Sequence, residues 1–179
     1  VAASPTWVLS NHDVVRHPTR YGGGDRGLAR ARAATLMMLA LPGSAYLYQG
    51  EELGLQQVKV PRKQWQDPAA VRTGAVGRDG CRVPLPWSGD SPPYGFGPGA
   101  GQPWLPQPTD WGTKTVEAQV DDPESTLSFY RRVLRLRAEQ AAPSAESIEL
   151  LATRRGTLAF RRGDALVCVI NCGATSAPL

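Results

Sequence analysis

A predicted strand–helix–strand unit near the start of the sequence constrains the fold more than any other feature. The first strand is predicted at Trp7–Ser10 and the second at Ala45–Gln49, and both are continuously apolar or small. Residues 28–41, LARARAATLMMLAL, are good helix formers without an internal glycine or proline, and Pro42 ends the helix. A helix of this length between two apolar strands is typical of a parallel crossover. The sequence therefore predicts an α/β fold in which both strands are buried on two faces.

Polar residues follow both predicted strands. Asn11, His12 and Asp13 come directly after the first, and the run Gln49–Glu52 ends the second. Parallel α/β folds build their sites at the carboxyl ends of the strands. We therefore expect a functional site here, with Asp13 as its first candidate.

Asp13 has several possible roles beside His12. An aspartate at the end of a strand often caps the next turn. A histidine next to a carboxylate suits a nucleophilic triad, a metal or a polyol, but no serine or cysteine stands in a nucleophile elbow. His12 and His17 do not have a recognised zinc spacing. In a polyol site, Asp13 would accept hydrogen bonds from two hydroxyls and His12 would donate one.

The stretch 53–121 interrupts the α/β pattern. It contains most of the prolines and no convincing helix, so the sequence predicts a long functional loop. The stretch also holds four of the five tryptophans, which we expect to pack more often than to stack on a ligand: Trp65, Trp87, Trp104 and Trp111. Arg78 and Asp79 are interpreted as turn residues.

Regular structure is predicted again from Asp122. Asp122 as the cap and Pro123 as the first helical residue predict a helix. The apolar stripe of this helix is predicted at Leu127, Tyr130 and Leu134, widened by Phe129, Val133 and Leu136. After Pro143, the segments IELL, TLAFR and ALVCVIN predict short antiparallel strands of a second, all-β domain.

Composition excludes some classes of function. The net charge is +4, and the arginines are scattered among acidic residues rather than clustered, so we expect no nucleic-acid partner. No signal peptide or membrane-spanning run is found, and we expect no membrane partner. Three cysteines without metal spacing predict buried thiols in a reducing compartment, hence a cytoplasmic protein. Because residue 1 is a valine, we expect the natural N-terminus to lie further upstream.

Five segments in order resemble the alpha-amylase family of glycoside hydrolases (family 13), in particular its α-glucosidase and oligo-1,6-glucosidase branch. They are WVLSNHDVVRHPTRYG, LMMLALPGSAYLYQGEELGL, GCRVPLPW, PWLPQPTDW and DPESTLSFYRRVLRLR. The resemblance implies the C-terminal part of a TIM (β/α)₈ barrel. Trp7–Ser10 and Ala45–Gln49 would be strands seven and eight, and Pro123–Ala141 the last helix. Residues 1–143 would belong to the barrel, with an active-site loop at 53–121, and residues 144–179 would begin a small antiparallel β-sandwich domain.

The resemblance also implies roles for individual residues. Asp13 matches the family's third carboxylate, the transition-state stabiliser that holds the C2 and C3 hydroxyls of the glucose being cleaved. His12 matches the histidine beside it, and Arg82 matches an arginine that fixes the non-reducing end of that glucose. Arg16 is a further candidate for substrate binding, with a salt bridge within the loop as the alternative. Glu51 and Glu52 match the family's Gln-Gly-Glu-Glu segment, which is usually structural.

The implied activity is retaining hydrolysis of terminal α-linked glucose from maltose- or isomaltose-type oligosaccharides, without a cofactor and without a metal in this part of the chain. The nucleophile and general acid of the family follow strands four and five, and no segment here matches them. We therefore expect this chain to be a fragment that is inactive alone. One alternative is a glucosyl-transferring relative of the sucrose isomerase or trehalose synthase type. Another is a non-catalytic family member that serves as a transporter partner subunit.

Overall fold

The computed structural model describes residues 4–97, 101–139, 147–164, 166–173 and 175–176. The strands are β1 (Thr6–Val8), β2 (Ser44–Tyr46), β3 (Ile148–Leu150), β4 (Thr157–Arg162) and β5 (Leu166–Asn171). The helices are α1 (His17–Arg20), α2 (Gly24–Ala40), α3 (Pro68–Thr73), α4 (Val116–Gln119) and α5 (Thr126–Glu139). Single 3₁₀ turns lie at Arg62–Gln64, Asp79–Cys81 and Trp111–Lys114.

The predicted crossover is present. Strands β1 and β2 pair in parallel, with Trp7 opposite Ala45, and α2 connects them. Helix α2 begins at Gly24, four residues before the predicted start, because Gly23 at its N-cap adopts a positive φ of 66° that lets the chain turn directly into the helix. The C-terminal half of α2 is buried, as predicted, with Met38 and Leu39 in the core.

Both predicted strands are shorter and more exposed than expected. The strands end at Val8 and Tyr46 rather than at Ser10 and Gln49, and these last residues are 50% and 66% exposed. The prediction that both faces are buried is therefore wrong for this structure. A parallel strand is covered on both faces only when other elements flank it, and within the described residues this sheet consists of two strands.

The stretch 53–121 is more ordered than the sequence indicated. Its described part contains α3 and α4, so the prediction that it lacks helices is wrong. It also has its own hydrophobic core, which reaches the start of α5: Leu53, Leu55, Val83, Leu85, Tyr94, Leu105, Trp111 and Leu127. The prolines and glycines bend the chain often, but enough large apolar residues remain between the bends to bury one another.

Helix α5 begins later than predicted. Ser125 is its cap, because the Ser125 Oγ accepts a hydrogen bond from the Ser128 N–H at 3.1 Å. Asp122 instead closes the turn before the helix, where its Oδ1 accepts from the Glu124 N–H at 2.9 Å. Of the predicted stripe, Leu127, Tyr130 and Val133 are buried, whereas Leu134 and Leu136 are exposed. Residues 140 and 141, the predicted end of this helix, lie outside the described residues.

The C-terminal strands form an antiparallel sheet in the order β3-β4-β5, which confirms the predicted pairing. Phe160 and Ile170 of this sheet pack with Ala40 at the end of α2. The predicted domain boundary at residues 143 and 144 lies outside the part of the chain that the structure describes. Among the described helices, none has the length and apolar character needed to cross a membrane.

Candidate active site

The turn after β1 presents Asp13 to solvent. The Asp13 backbone N–H donates to the Asn11 Oδ1 at 2.8 Å, so Asn11 is the residue whose side chain stabilises the turn. The alternative that Asp13 serves as the turn cap therefore does not hold. Its carboxylate is 49% exposed and available for other partners.

The Asp13 carboxylate lies between two guanidinium groups. The Asp13 Oδ1 accepts from Arg82 Nη2 at 2.9 Å and from Arg78 Nη1 at 3.0 Å. The Asp13 Oδ2 lies 3.4 Å from His12 Nε2. Arg82 also donates from its Nε to the His12 carbonyl at 2.8 Å. The structure thus brings together three of the four predicted site residues, His12, Asp13 and Arg82.

This surrounding keeps Asp13 ionised. The hydrogen bond from Arg78 is the main cause that lowers the pKa of the Asp13 carboxyl below its ordinary value, and the positive charge of Arg82 acts in the same direction. An ionised carboxylate accepts hydrogen bonds and does not donate them. The site is therefore suited to holding hydroxyl groups, not to giving up a proton.

Arg78 is the site residue that the sequence did not reveal. We interpreted it as a turn residue, but its side chain joins Asp13 to the buried Asp67. The 3₁₀ turn Asp79–Cys81 places Arg78 and Arg82 on the same side, so that both reach one carboxylate oxygen. The only sequence signal was this spacing of four residues around a tight turn.

Arg16 lies elsewhere. Its side chain is almost fully buried, and its guanidinium donates to the Gln49 carbonyl and to the Cys81 carbonyl, each at 2.9 Å. The guanidinium carbon also lies 4.9 Å from the centre of the Tyr48 ring. The prediction that Arg16 contacts substrate does not fit this position, because backbone carbonyls occupy its donors. Arg16 instead ties the end of the β2 segment to the turn that carries Arg82.

The two glutamates after β2 do not join the exposed cluster. Glu51 is buried and receives a hydrogen bond at 3.4 Å from the Tyr130 hydroxyl, whereas Glu52 Oε2 accepts from the Gly50 N–H at 2.8 Å. Burial raises the pKa of Glu51 to about 7. These contacts agree with the structural role expected of Glu51.

A cavity of about 450 Å³ adjoins Asp13. Its walls come from the turn after β1 and from the segment around α3, and they include Val14, Val15, Val76, Asp67 and Arg78. A larger cavity of about 580 Å³ lies beside Trp111 and does not include the residues of the Asp13 cluster. We place the site at the smaller cavity, because three charged side chains line it, Asp13, Asp67 and Arg78, whereas His12 and Arg82 reach Asp13 from outside this lining.

The loop tryptophans do not line the cavity next to Asp13. Trp111 is buried in the core of the stretch, whereas Trp87 and Trp104 are exposed. In the described part of the chain, no group of three or more His, Cys, Asp or Glu side chains is arranged to hold a metal ion.

Comparisons with known proteins identify the family of this chain. The family model described as "Alpha amylase, catalytic domain" matches residues 2–145. "Probable alpha-glucosidase" of Rhizobium meliloti (strain 1021) is 36% identical over 172 residues, which cover 92% of this chain and 30% of that protein. Oligo-1,6-glucosidase of Parageobacillus thermoglucosidasius is 31% identical over 154 residues, which cover 73% of this chain and 26% of that protein.

Solved structures show the same relationship. The crystal structure of an alpha-glucosyl transfer enzyme superposes with a TM-score of 0.76 at 40% identity, covering 92% of this chain and 31% of that chain. A trehalulose synthase superposes with a TM-score of 0.75 at 27% identity, covering 94% of this chain and 35% of that chain. The chain thus spans about a third or less of the length of these relatives. Its fold is that of a part of their catalytic barrel, and the chain belongs to the alpha-amylase family.

Proposed function

We propose that this chain forms the C-terminal part of the catalytic domain of a retaining α-glucosidase. The whole protein hydrolyses terminal α-linked glucose from maltose- or isomaltose-type oligosaccharides. The observation that carries the proposal is the ionised Asp13 carboxylate at the end of a parallel strand, held by Arg82 and next to His12. Curated relatives with the names α-glucosidase and oligo-1,6-glucosidase support the reaction.

Asp13 binds the C2 and C3 hydroxyls of the glucose that is cleaved. In the described part of the chain, the Asp13 Oδ1 accepts from both arginines, whereas the Oδ2 has His12 Nε2 as its neighbour. The Oδ2 and the His12 ring therefore offer an acceptor and a donor to two adjacent hydroxyls. Arg82 binds the non-reducing end of the same glucose unit.

The same contacts stabilise the transition state. Cleavage of a glycosidic bond passes through an oxocarbenium-like state in which positive charge grows at the anomeric carbon. Hydrogen bonds from the sugar hydroxyls to an anionic carboxylate strengthen as this charge grows, and a charge-assisted bond is about twice as strong as a neutral one. Asp13 therefore contributes more to turnover than to binding of the ground state.

The proposal also assigns the strands and the two domains of this chain to parts of the family's fold. Strands β1 and β2 are the seventh and eighth strands of the barrel, and residues 1–143 belong to it. Residues 144–179, with the sheet β3-β4-β5, begin the C-terminal β-sandwich domain. The nucleophile and the general acid belong to the part of the relatives that this chain does not span, so the chain alone is inactive. A cytoplasmic location belongs to the same proposal; Cys81 and Cys168 are buried as expected, whereas Cys172 is exposed.

Glucosyl transfer is the second candidate reaction. It is favoured by the likeness to the solved alpha-glucosyl transfer enzyme, which is 40% identical. The two reactions differ in the acceptor, which is water in hydrolysis and a sugar hydroxyl in transfer. Product analysis with maltose separates them, because hydrolysis releases only glucose and transfer forms new oligosaccharides.

The test is Asp13→Asn in the intact protein. We expect kcat on maltose to fall by roughly 10²–10³-fold, with a smaller change in KM, because the loss is concentrated in the transition state. Asp121→Asn serves as the matched control, because Asp121 is also exposed but lies outside the cluster. Near-normal turnover of Asp13→Asn would contradict the proposal. An intact protein without any activity on α-glucosides would favour the non-catalytic alternative.

A further inference from the structure

Asp67 is buried, and its carboxylate accepts several hydrogen bonds within the stretch 53–121, which also carries Arg82. Its Oδ1 caps α3 by accepting from the Ala69 N–H at 3.0 Å, and its Oδ2 accepts from the Arg78 backbone N–H at 2.9 Å. The same two oxygens accept from Arg78 Nε at 2.8 Å and from Arg78 Nη2 at 3.1 Å. Asp67 therefore holds the Arg78 side chain in a two-point contact.

This two-point contact fixes the direction of the third nitrogen of Arg78. A guanidinium is planar, so two bonds to one carboxylate set both its position and its plane. The remaining Nη1 then points to the Asp13 Oδ1 at 3.0 Å. The Arg78 side chain is 40% exposed, and without Asp67 it would be free to turn into solvent.

Both partners of the contact stay charged. Hydrogen bonds with Arg78 hold the pKa of Asp67 well below its ordinary value, and the same bonds raise the pKa of Arg78. The bridge from Asp67 through Arg78 to Asp13 is thus a bridge between charged groups. It connects α3, on one wall of the 450 Å³ cavity, to the carboxylate on the other wall.

We infer that Asp67 is a positioning residue that acts through Arg78. It aims the guanidinium at the Oδ1 of Asp13, so that the Oδ2 faces the substrate. This inference rests on the proposed function of Asp13. Asp67 lines the cavity, but Arg78 and backbone N–H groups occupy both of its carboxylate oxygens, so its effect on the reaction passes through Arg78.

The experiment replaces Asp67 while keeping its cap. Asn and Ser are both good N-cap residues, so Asp67→Asn and Asp67→Ser preserve α3 but remove the charged two-point contact. We expect each variant of the intact protein to lose about tenfold or more in kcat on maltose, with little change in KM, since a small misplacement of a catalytic group is costly. Arg72→Gln is the control, because Arg72 is an exposed residue of the same helix α3 and does not line the cavity next to Asp13. It should stay within about twofold of wild type.

A double-mutant cycle with Arg78→Gln tests the route. If Asp67 acts only through Arg78, the variant that combines Arg78→Gln with Asp67→Asn loses no more activity than Arg78→Gln alone. Arg78→Lys should lose as much activity as Arg78→Gln, because a lysine cannot bond to Asp67 at two points and also reach Asp13. The inference would be overturned if the activity loss of the double variant equalled the product of the two single losses, or if Arg72→Gln lost as much activity as Asp67→Asn.

Structural measurements separate this inference from the proposed function. In a crystal structure of the Asp67→Asn protein, we expect the Arg78 Nη1 to leave the Asp13 Oδ1, while α3 is unchanged. If the pair stays at about 3.0 Å, the inference fails even where Asp13→Asn abolishes turnover. If the intact protein has no activity on maltose, the proposed function fails. The same crystal structure then still decides whether Asp67 positions Arg78.

Discussion

His17 Nδ1 and Glu51 Oε1 lie 3.9 Å apart inside the protein, and both side chains are almost fully buried. The Ser10 hydroxyl lies 2.9 Å from the same Nδ1. Burial is the largest influence on each group: it raises the pKa of Glu51 to about 7 and lowers the pKa of His17 to about 4. The distance is within the range of an ion pair, but an ion pair would shift both pKa values in the opposite directions. We conclude that Glu51 and His17 are both neutral between about pH 4 and pH 7.

The charged neighbours of the pair support this conclusion for the histidine. Arg16 and Arg20 both lower the pKa of His17 further. Around Glu51, Arg16 lowers the pKa and Glu52 raises it, while hydrogen bonds from the Tyr48 backbone and the Tyr130 hydroxyl lower it. Burial outweighs these contributions.

Glu51→Gln should change how stability depends on pH. The folded protein keeps the Glu51 proton up to about pH 7, whereas the unfolded chain loses it near 4.5, so this group reduces the free energy of unfolding as the pH rises between these values. His17 increases the free energy of unfolding from about pH 4 to 6.5, because only the unfolded chain is protonated there. In wild type the two effects oppose each other, and in Glu51→Gln the histidine effect remains. We expect the variant to gain on wild type between pH 4.5 and 7 by up to about 1.4 kcal/mol per pH unit.

Urea unfolding of both proteins at a series of pH values measures this difference. Glu124→Gln is the control, because Glu124 is exposed and its curve should follow wild type. Parallel curves for Glu51→Gln and wild type would show that Glu51 is ionised in the folded protein throughout this range.

Sequence and structure disagree about the N-cap residue of α5, and the stability of two variants decides between them. The sequence pattern favours Asp122, but the structure places Ser125 at the cap, where its hydroxyl accepts from the Ser128 N–H. Ser125→Ala should therefore reduce the free energy of unfolding by about 1 kcal/mol. Asp122→Ala should cost less than about 0.5 kcal/mol, because Asp122 only closes an exposed turn. Chemical denaturation of the two variants measures both values, and the reverse order would restore the sequence-based assignment.

The sequence predicted the parts of the fold and site that depend on local patterns. The crossover through α2 follows from one helical run between two apolar strands, and the antiparallel strands follow from short apolar runs with turn residues between them. The position of His12 and Asp13 at a strand end was enough to place them in a candidate site. The resemblance to a family then added Arg82 from a distant segment.

The sequence could not reveal contacts between distant turns. Arg78 reaches Asp13 across 65 residues, and nothing in its neighbourhood distinguishes it from an ordinary turn residue. Arg16 lies in a polar segment that looks exposed, and only the folded chain shows that carbonyls of Gln49 and Cys81 surround its guanidinium. Both differences between expectation and structure have the same physical cause, since the partner of a charged side chain is set by tertiary structure.

Arg16→Lys tests the structural role of Arg16. A lysine has one ammonium group and cannot reach the Gln49 and Cys81 carbonyls in the fixed geometry of a guanidinium. At least one buried carbonyl then loses its donor, and we expect the free energy of unfolding to fall by about 1–3 kcal/mol. Arg30→Lys is the control, because Arg30 is exposed and its hydrogen bond to the Tyr21 carbonyl is also exposed. Unchanged stability together with a large rise in KM for maltose would restore the prediction that Arg16 contacts substrate.

Phe160→Ala tests how firmly the C-terminal sheet is joined to the rest of the chain. Phe160 is almost fully buried and packs with Cys168, Ile170 and Ala40, so it connects β4 and β5 to the end of α2. Truncation of a buried phenylalanine leaves a cavity, and we expect a loss of about 3–5 kcal/mol in the free energy of unfolding. Leu158→Ala on the same strand should cost much less, because Leu158 is exposed.

Urea unfolding followed by tryptophan fluorescence reports on the region outside the sheet, since the tryptophans lie between residues 7 and 111. A fluorescence transition that Phe160→Ala leaves unchanged would show that the sheet contributes no stability to that region.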